Sequence, residues 1–431
     1  MENYSEKLLS FINSAVSPFH AVKAIEKRLD AIGYKELKET EKWKVEAGGK
    51  YYTSRNGSSL IAFSVPSSDF NGFMFAAAHD DSPSFKIKAC CDKQNGKYLG
   101  VNTEKYGGML MSTWMDRPLS VAGRVCVRDG DGIKTVLVDS EKPVLIIPSV
   151  AIHMNRSAND NASLNPATDM QPICGLDGGT LFSDYIASLA GVKSDDVISH
   201  DLCLYSNGGT VWGIDGSFVS SPRIDDLQCA YALTEGFVSA EAGDSIPVLC
   251  IFDNEEVGST TKQGAASGFL RDTVSRICEA LGLDDGDRCA KLANSFMVSA
   301  DNGHAIHPNH PELSDANNCP KINKGIVVKY NANQRYTTDA ISAAVFGRIC
   351  ESASVPCQVF ANRSDMAGGG TLGNISNTQV ALNTVDIGLA QLAMHSAYET
   401  AGTKDTEYLV RAMTKFFSSS VTFDGENIKI R

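Results

Sequence analysis

The stretch Val248-Leu249-Cys250-Ile251-Phe252-Asp253-Asn254-Glu255-Glu256-Val257-Gly258-Ser259 decides how the chain is read. Its apolar first part predicts a buried strand. The run ends abruptly at Asp253, Asn254, Glu255 and Glu256, followed by a glycine. Adjacent glutamates closing a buried strand are costly unless a positive charge sits beside them. Taken alone, such a pair is most often a solvated acidic loop. On an extended chain neighbouring side chains point in opposite directions, so Glu255 and Glu256 can do different work. One can ligate a metal while the other reaches a water on it, the division that metal-assisted hydrolysis requires.

Working outward, other strand patterns end in the same way. Phe73 to Ala78 is apolar and runs straight into His79-Asp80-Asp81-Ser82-Pro83. Ser295 to Ser299 runs into Ala300-Asp301, and Ile326 to Tyr330 carries Lys329 near its end. Helical spacing is expected over 5–33 as two helices, and over 226–239, 261–269, 272–281 and 339–352. Strands alternating with helices predict an α/β fold with a mainly parallel sheet flanked by helices. Open sheets of this kind bind ligands beyond the carboxyl ends of their strands. Between about Lys88 and Ser220 the texture changes to short β-like runs, including a hairpin around Asp129-Gly130-Asp131-Gly132 and a strand expected over Val144 to Val150. The expected organisation is therefore a discontinuous domain, 1–88 with 221–431, and a β-rich insertion at 89–220.

Composition narrows the function. The chain has 431 residues, 43% hydrophobic and 21% charged, as expected for a globular protein of two domains. The net charge of −12 argues against a nucleic-acid surface and makes any acidic substrate depend on a local cation. No run approaches membrane-span length, and the polar, acidic start Met1 to Lys7 does not read as a signal peptide. The 12 cysteines include no CxxC, so reduced thiols and a cytoplasmic location are expected.

The chemistry-bearing candidates are His79 with Asp81, Asp225 at the start of a helix, the Glu255-Glu256 pair, Asp301, and His395. His79 and Asp81 suit an imidazole ligand oriented by a carboxylate. Asp225 is a ligand or a helix cap, and His395 can equally be a core histidine. Several ligand types at one edge of one sheet are harder to dismiss than any one of them.

Over nearly its whole length the chain resembles the aspartyl aminopeptidase family of dinuclear zinc exopeptidases. The resemblance is carried by Ala78-His79-Asp80-Asp81-Ser82-Pro83, Arg223-Ile224-Asp225-Asp226-Leu227, Asp253 to Ser259, Ser299 to Asn309, Asn331 to Tyr336 and Met394-His395-Ser396. It implies a zinc-exopeptidase-like catalytic domain with an inserted β-rich dimerisation domain. It further implies that Asp225 bridges two divalent ions, most commonly zinc, with manganese or cobalt as substitutes. His79 and Asp301 then complete one site, Glu256 and His395 the other. Glu255 matches the general base, and Asp81 the residue that orients His79.

The same resemblance implies substrates with a free N-terminus, Asp or Glu preferred. Lys329 is the expected cation for that side chain, with Arg363 as competitor. His153, in the insertion, matches a histidine that reaches the neighbouring subunit's site and stabilises the oxyanion. Dimers building a larger closed assembly, commonly a dodecamer, are implied as well. No membrane or nucleic-acid partner is expected. Two positions depart from the family pattern: Asp80 stands where a small hydroxyl residue is usual, and Gly370 where many relatives carry serine. The alternatives are a dinuclear enzyme of broad or neutral specificity, a deacylase, or a non-catalytic scaffold.

Overall fold

The computed structural model describes residues 3–431 apart from Ser68, Asn161, Ala162 and Ala242. At its centre is a 9-stranded sheet in the order Lys35–Glu36, Lys50–Arg55, Ser59–Ser64, Ile246–Phe252, Phe73–His79, Phe296–Ala300, Asn383–Gly388, Ile326–Tyr330 and Cys357–Ala361. Ile246–Phe252, Phe73–His79, Phe296–Ala300 and Asn383–Gly388 form its parallel middle. The α/β architecture with a mainly parallel sheet and flanking helices is the one expected.

The middle strands are apolar on both faces because both faces are covered. Along Phe73–His79, Met74, Ala76 and Ala78 enter a core shared with the helices Pro18–Asp30, Ile224–Ser239, Ala340–Ser352 and Asp405–Phe417. The intervening Phe73, Phe75 and Ala77 pack with Phe269, Val274 and Ile277 of the helix Phe269–Ala280 on the other face. This period-2 division between two cores is what an interior strand must show. Register then sets the site. Phe252 pairs with His79, so Asp253 and the two glutamates emerge beside His79-Asp80-Asp81.

A 6-stranded antiparallel sheet collects Ser84–Asn95, Tyr98–Tyr106, Leu119–Asp129, Gly132–Asp139, Ile173–Leu176 and Val197–Ser206 around a separate core. Its first strand runs through residue 88, and Phe218–Ser221 pairs with Glu399–Gly402 in a third, 5-stranded sheet. That third sheet returns the C-terminal segment to the edge where the middle strands end.

Three local expectations are corrected. Residues 261–268 are turns, and the helix begins only at Phe269. The cause is visible: a Cβ on Gly264 would lie 2.2 Å from the Ser259 carbonyl oxygen. In the same segment Thr261 Oγ1 and Gln263 Nε2 donate to Asn254 Oδ1 at 2.8 and 2.9 Å, bracing the glutamate turn. Second, Val144 to Val150 makes only isolated bridges at Leu145 and Ile146, since Pro143 and Pro148 interrupt any ladder. Third, Ile326–Tyr330 runs antiparallel to Asn383–Gly388, so Lys329 does not sit at the same end as the other strand termini. Its side chain reaches the site across Gly303 and Gly388, whose added Cβ atoms would come within 3.5 and 3.1 Å of Lys329 Cε.

Candidate active site

The buried strand ends deliver three segments to one point, a helix start brings a fourth, and a fifth arrives from the third sheet. His79 ends Phe73–His79, Asp301 follows Phe296–Ala300, and Glu255 and Glu256 lie in a single 3-10 turn after Ile246–Phe252. Asp225 opens the helix Ile224–Ser239 with non-helical dihedrals at Asp225 and Asp226. His395 lies in the left-handed region, φ 65°, on the loop between Ala390–Leu392 and Glu399–Gly402. The glutamates are therefore not on an extended chain, yet they still diverge, because successive residues of a 3-10 turn are about 120° apart.

Asp225 has its two oxygens turned to two different histidines. Asp225 Oδ1 lies 3.5 Å from His79 Nε2, and Asp225 Oδ2 lies 3.5 Å from His395 Nε2. Asp301 Oδ1 and Glu255 Oε2 each stand 4.0 Å from His79 Nε2, and Glu256 Oε1 stands 3.4 Å from His395 Nε2. These separations are longer than good hydrogen bonds. The 3.4 and 3.5 Å separations match the roughly 3.3–3.5 Å between ligand atoms that share a tetrahedral ion with bonds near 2.0–2.1 Å, and the 4.0 Å to Asp301 is wider than that. Asp225 Oδ1 and Glu256 Oε1 are buried and have no hydrogen-bond partner among the described residues. Buried carboxylate oxygens left open in this way fit a cation, and His79, Asp225, Asp301 on one side and Asp225, Glu256, His395 on the other form two possible donor sets.

Electrostatics point the same way. Burial is the chief cause that pushes Glu255 up to about 7; His79 pulls it down, and the carboxylates of Asp301, Asp81 and Asp225 push it up. Burial and Asp225 hold Glu256 well above the usual carboxylate range. For His79, burial favours the neutral ring, but Asp225 and Asp81 raise its pKa well above the ordinary value. Too much negative charge is gathered here for the surrounding protein to balance.

Further carboxylates hold the ligand-bearing backbones together. Asp81 accepts the N–H groups of Glu255 and Glu256 at 3.0 and 3.1 Å. Tyr106 donates its hydroxyl to the same carboxylate at 2.5 Å. His79 Nδ1 meets the main-chain oxygen of Asp81 at 3.0 Å and its Oδ1 at 3.4 Å, so Asp81 orients the ring through both groups. Asp226 accepts from His79 N at 3.3 Å and Asn302 N at 3.2 Å. Glu399 accepts from Asp225 N at 3.0 Å and His395 N at 2.7 Å.

A cavity of about 200 Å³ opens onto these groups and is also lined by Lys329, Tyr336, Phe360, Asn362 and Gly370. Lys329 is buried, donates to the Asn302 carbonyl at 2.9 Å and stands 3.7 Å from Asp301 Oδ2. Burial opposes its charge, but Asp301, Tyr336 and Asp386 hold its pKa above the lysine range. Arg363 is not brought to the cavity: its guanidinium pairs with Asp365 at 2.6 and 2.5 Å on a half-exposed loop. His153 is exposed in a turn outside this cavity. Asp80 is buried and belongs to a different cavity, and an added Cβ at Gly370 would meet only the Arg335 oxygen, at 3.8 Å.

Comparison with known proteins places the chain in a family. The family model described as aminopeptidase I zinc metalloprotease (M18) matches residues 11–417. The chain belongs to the M18 family. The probable M18 family aminopeptidase 2 of Clostridium acetobutylicum is 43% identical over 426 residues, covering 96% of this chain and 98% of the relative. A chain of the Ape4 and Nbr1 complex, solved by cryo-EM, superposes with a TM-score of 0.93 at 35% identity, covering 96% of this chain and 85% of the other. The S. cerevisiae mApe1 dodecamer superposes with a TM-score of 0.84 at 29% identity, with 96% of each chain covered. This M18 protein is thus a metallo-aminopeptidase, and zinc is its family's metal.

Sequence reasoning missed Glu399, Asp226 and Tyr106. The doublet Asp225-Asp226 was a usable signal, whereas Tyr106 and Glu399 reach the site only through tertiary structure. Positioning groups of this kind typically tune metal affinity 10–100-fold. Glu399→Gln, which keeps the shape but one acceptor fewer, is expected to weaken the metal bound beside His395 by about that factor. Chelator competition against the wild-type protein reads the change, and an unaltered affinity would assign Glu399 to packing alone.

Proposed function

We propose that this aminopeptidase removes single N-terminal residues, Asp and Glu preferred, from peptides, using two divalent ions and Glu255 as general base. The observation that carries the proposal is Asp225, whose two oxygens face separate donor sets containing His79 and His395. Asp225, His79 and Asp301 would hold one ion; Asp225, Glu256 and His395 the other. Zinc suits this imidazole and carboxylate mixture, and manganese or cobalt can use the same ligands. Bound there, the ions supply Lewis-acid polarisation of the scissile carbonyl and an acidified water.

The remaining chemistry belongs to the chain. Glu255 takes the proton of the attacking water and returns it to the leaving amine. Asp81, bonded to the Glu255 N–H, keeps that carboxylate facing the cleft. A cavity of about 200 Å³ is below the ~300–1,000 Å³ of ordinary ligand pockets and favours one terminal residue over an extended chain. Lys329, with three donors, can offer one to an acidic side chain after serving Asn302 and Asp301. Its partial neutralisation by Asp301 favours a second reading, a broad or neutral specificity. The free cysteines accord with a reducing compartment, the cytoplasm.

Self-association is part of the proposal, with residues 89–220 as the dimerising unit and a dodecamer as the final assembly. The His153 loop leaves Val150, Ile152 and Met154 exposed at 57%, 46% and 82%, a surface suited to a second copy. His153 would then act across the dimer on the oxyanion.

A panel of aminoacyl substrates, assayed with chelator and with metals restored, tests the activity. Aspartyl and glutamyl substrates are expected to exceed leucyl ones by at least about tenfold in kcat/KM, a 1.4 kcal/mol preference; equal rates would favour the neutral reading. Glu255→Gln is expected to keep its ions while kcat falls about 10²–10⁴-fold. Mixing inactive Glu255→Gln with inactive His153→Ala chains is expected to recover activity through hybrid dimers. Recovery in no mixture, despite subunit exchange, would remove His153 from the partner's site.

A further inference from the structure

Asp80 is the feature that the peptidase chemistry does not use. It follows His79 at the strand end and lines a second cavity, of about 30 Å³, together with Asp81, Lys86, Tyr106 and Arg223. Its side chain is 2% exposed, and neither Oδ1 nor Oδ2 has a hydrogen-bond partner among the described residues. Oxygen atoms of Asp80, Asp81 and Asp253 lie within 4.8 Å of one another. Burying such a group uncompensated is expensive, and a proton alone would leave its hydroxyl with no acceptor and its carbonyl oxygen with no donor.

The cations nearby do not answer it. Lys86 Nζ stands 4.5 Å from the centre of the Tyr106 ring, and no ion pair joins Lys86 to a carboxylate among the described residues. Arg223 donates to the main-chain oxygens of Ser206 and Ile12 at 3.3 and 3.1 Å. Asp253 Oδ1 accepts both Asn254 N at 2.7 Å and Asn254 Nδ2 at 3.1 Å, and Ser58 bonds the same carboxylate, so a further ligand falls to the other oxygen.

We propose that Asp80, Asp81 and Asp253 hold a further metal ion, separate from those at Asp225, of the hard Mg²⁺, Ca²⁺ or Mn²⁺ class. All three donors are oxygen and no imidazole takes part, which selects that class over zinc. Opposed ligands of such an ion are about 4–5 Å apart, and one oxygen from each of the three carboxylates falls within 4.8 Å of the others. Because Asp81 also binds the Glu255 and Glu256 N–H groups, the ion ties the ends of two strands directly behind the catalytic turn.

Zinc-saturated protein titrated with Mn²⁺, with bound manganese counted by electron paramagnetic resonance and total metal by mass spectrometry, tests this site. The wild-type chain is expected to take up one manganese beyond its zinc, and Asp80→Asn and Asp80→Thr to lose that one while retaining the zinc. The difference between the proteins is the readout, so it stands whatever number of zinc ions the Asp225 site holds. A zinc-saturated wild-type chain that binds no manganese overturns the proposal without any variant. So does a manganese that survives in either Asp80 variant.

Discussion

Negative charge buried at the carboxyl ends of parallel strands is the constraint on which the rest depends. Asp225, Glu255, Glu256 and Asp301 converge at this edge, and Lys329 is the cation within reach of Asp301. Such a gathering is stable only when cations share it. The same condition gives the edge donor sets suited to cations and raises the Glu255 carboxyl to about 7, the range the proposed base needs.

The fold meets this constraint by bridging. Asp81 joins the first strand end to the glutamate turn, Asp226 joins His79 to the segment after Asp301, and Glu399 joins Asp225 to His395. Each accepts two backbone N–H groups from segments that carry the proposed ligands, so none of these side chains depends on its own contacts alone. Close packing completes the arrangement. A Cβ at Gly388 would fall 1.9 Å from the Asp301 main-chain oxygen, so only glycine lets that strand pass so near Asp301. Thr371 bonds Asp386 at 2.7 Å and pins the glycine-rich wall of the cavity to the sheet.

Much of this was legible beforehand. His79, Asp301 and the glutamate pair were readable because apolar runs stop at them; Asp225 and His395 stood as open candidates, a cap and a core histidine being the alternatives, until the resemblance implied their roles. The α/β architecture followed from the same runs. What stayed hidden depends on return of distant chain. Glu399 reaches Asp225 only because the third sheet folds back. The direction of the Lys329 strand is not encoded in its apolar run, since parallel and antiparallel interior strands look alike. Residues 261–268 contain the helix formers Lys262, Gln263, Ala265 and Ala266, but Gly264 packs on Ser259, and Thr261 and Gln263 bond Asn254 instead. Arg363 carried the right charge and was lost to Asp365, a local partner two residues away.

The most direct measurement is anomalous diffraction at the zinc edge from crystals of the zinc-loaded protein. Two peaks about 3.5–4 Å apart are predicted, one among His79, Asp225 and Asp301 and the other among Asp225, Glu256 and His395. A single peak at saturating zinc, or two peaks that do not share Asp225, would contradict the account.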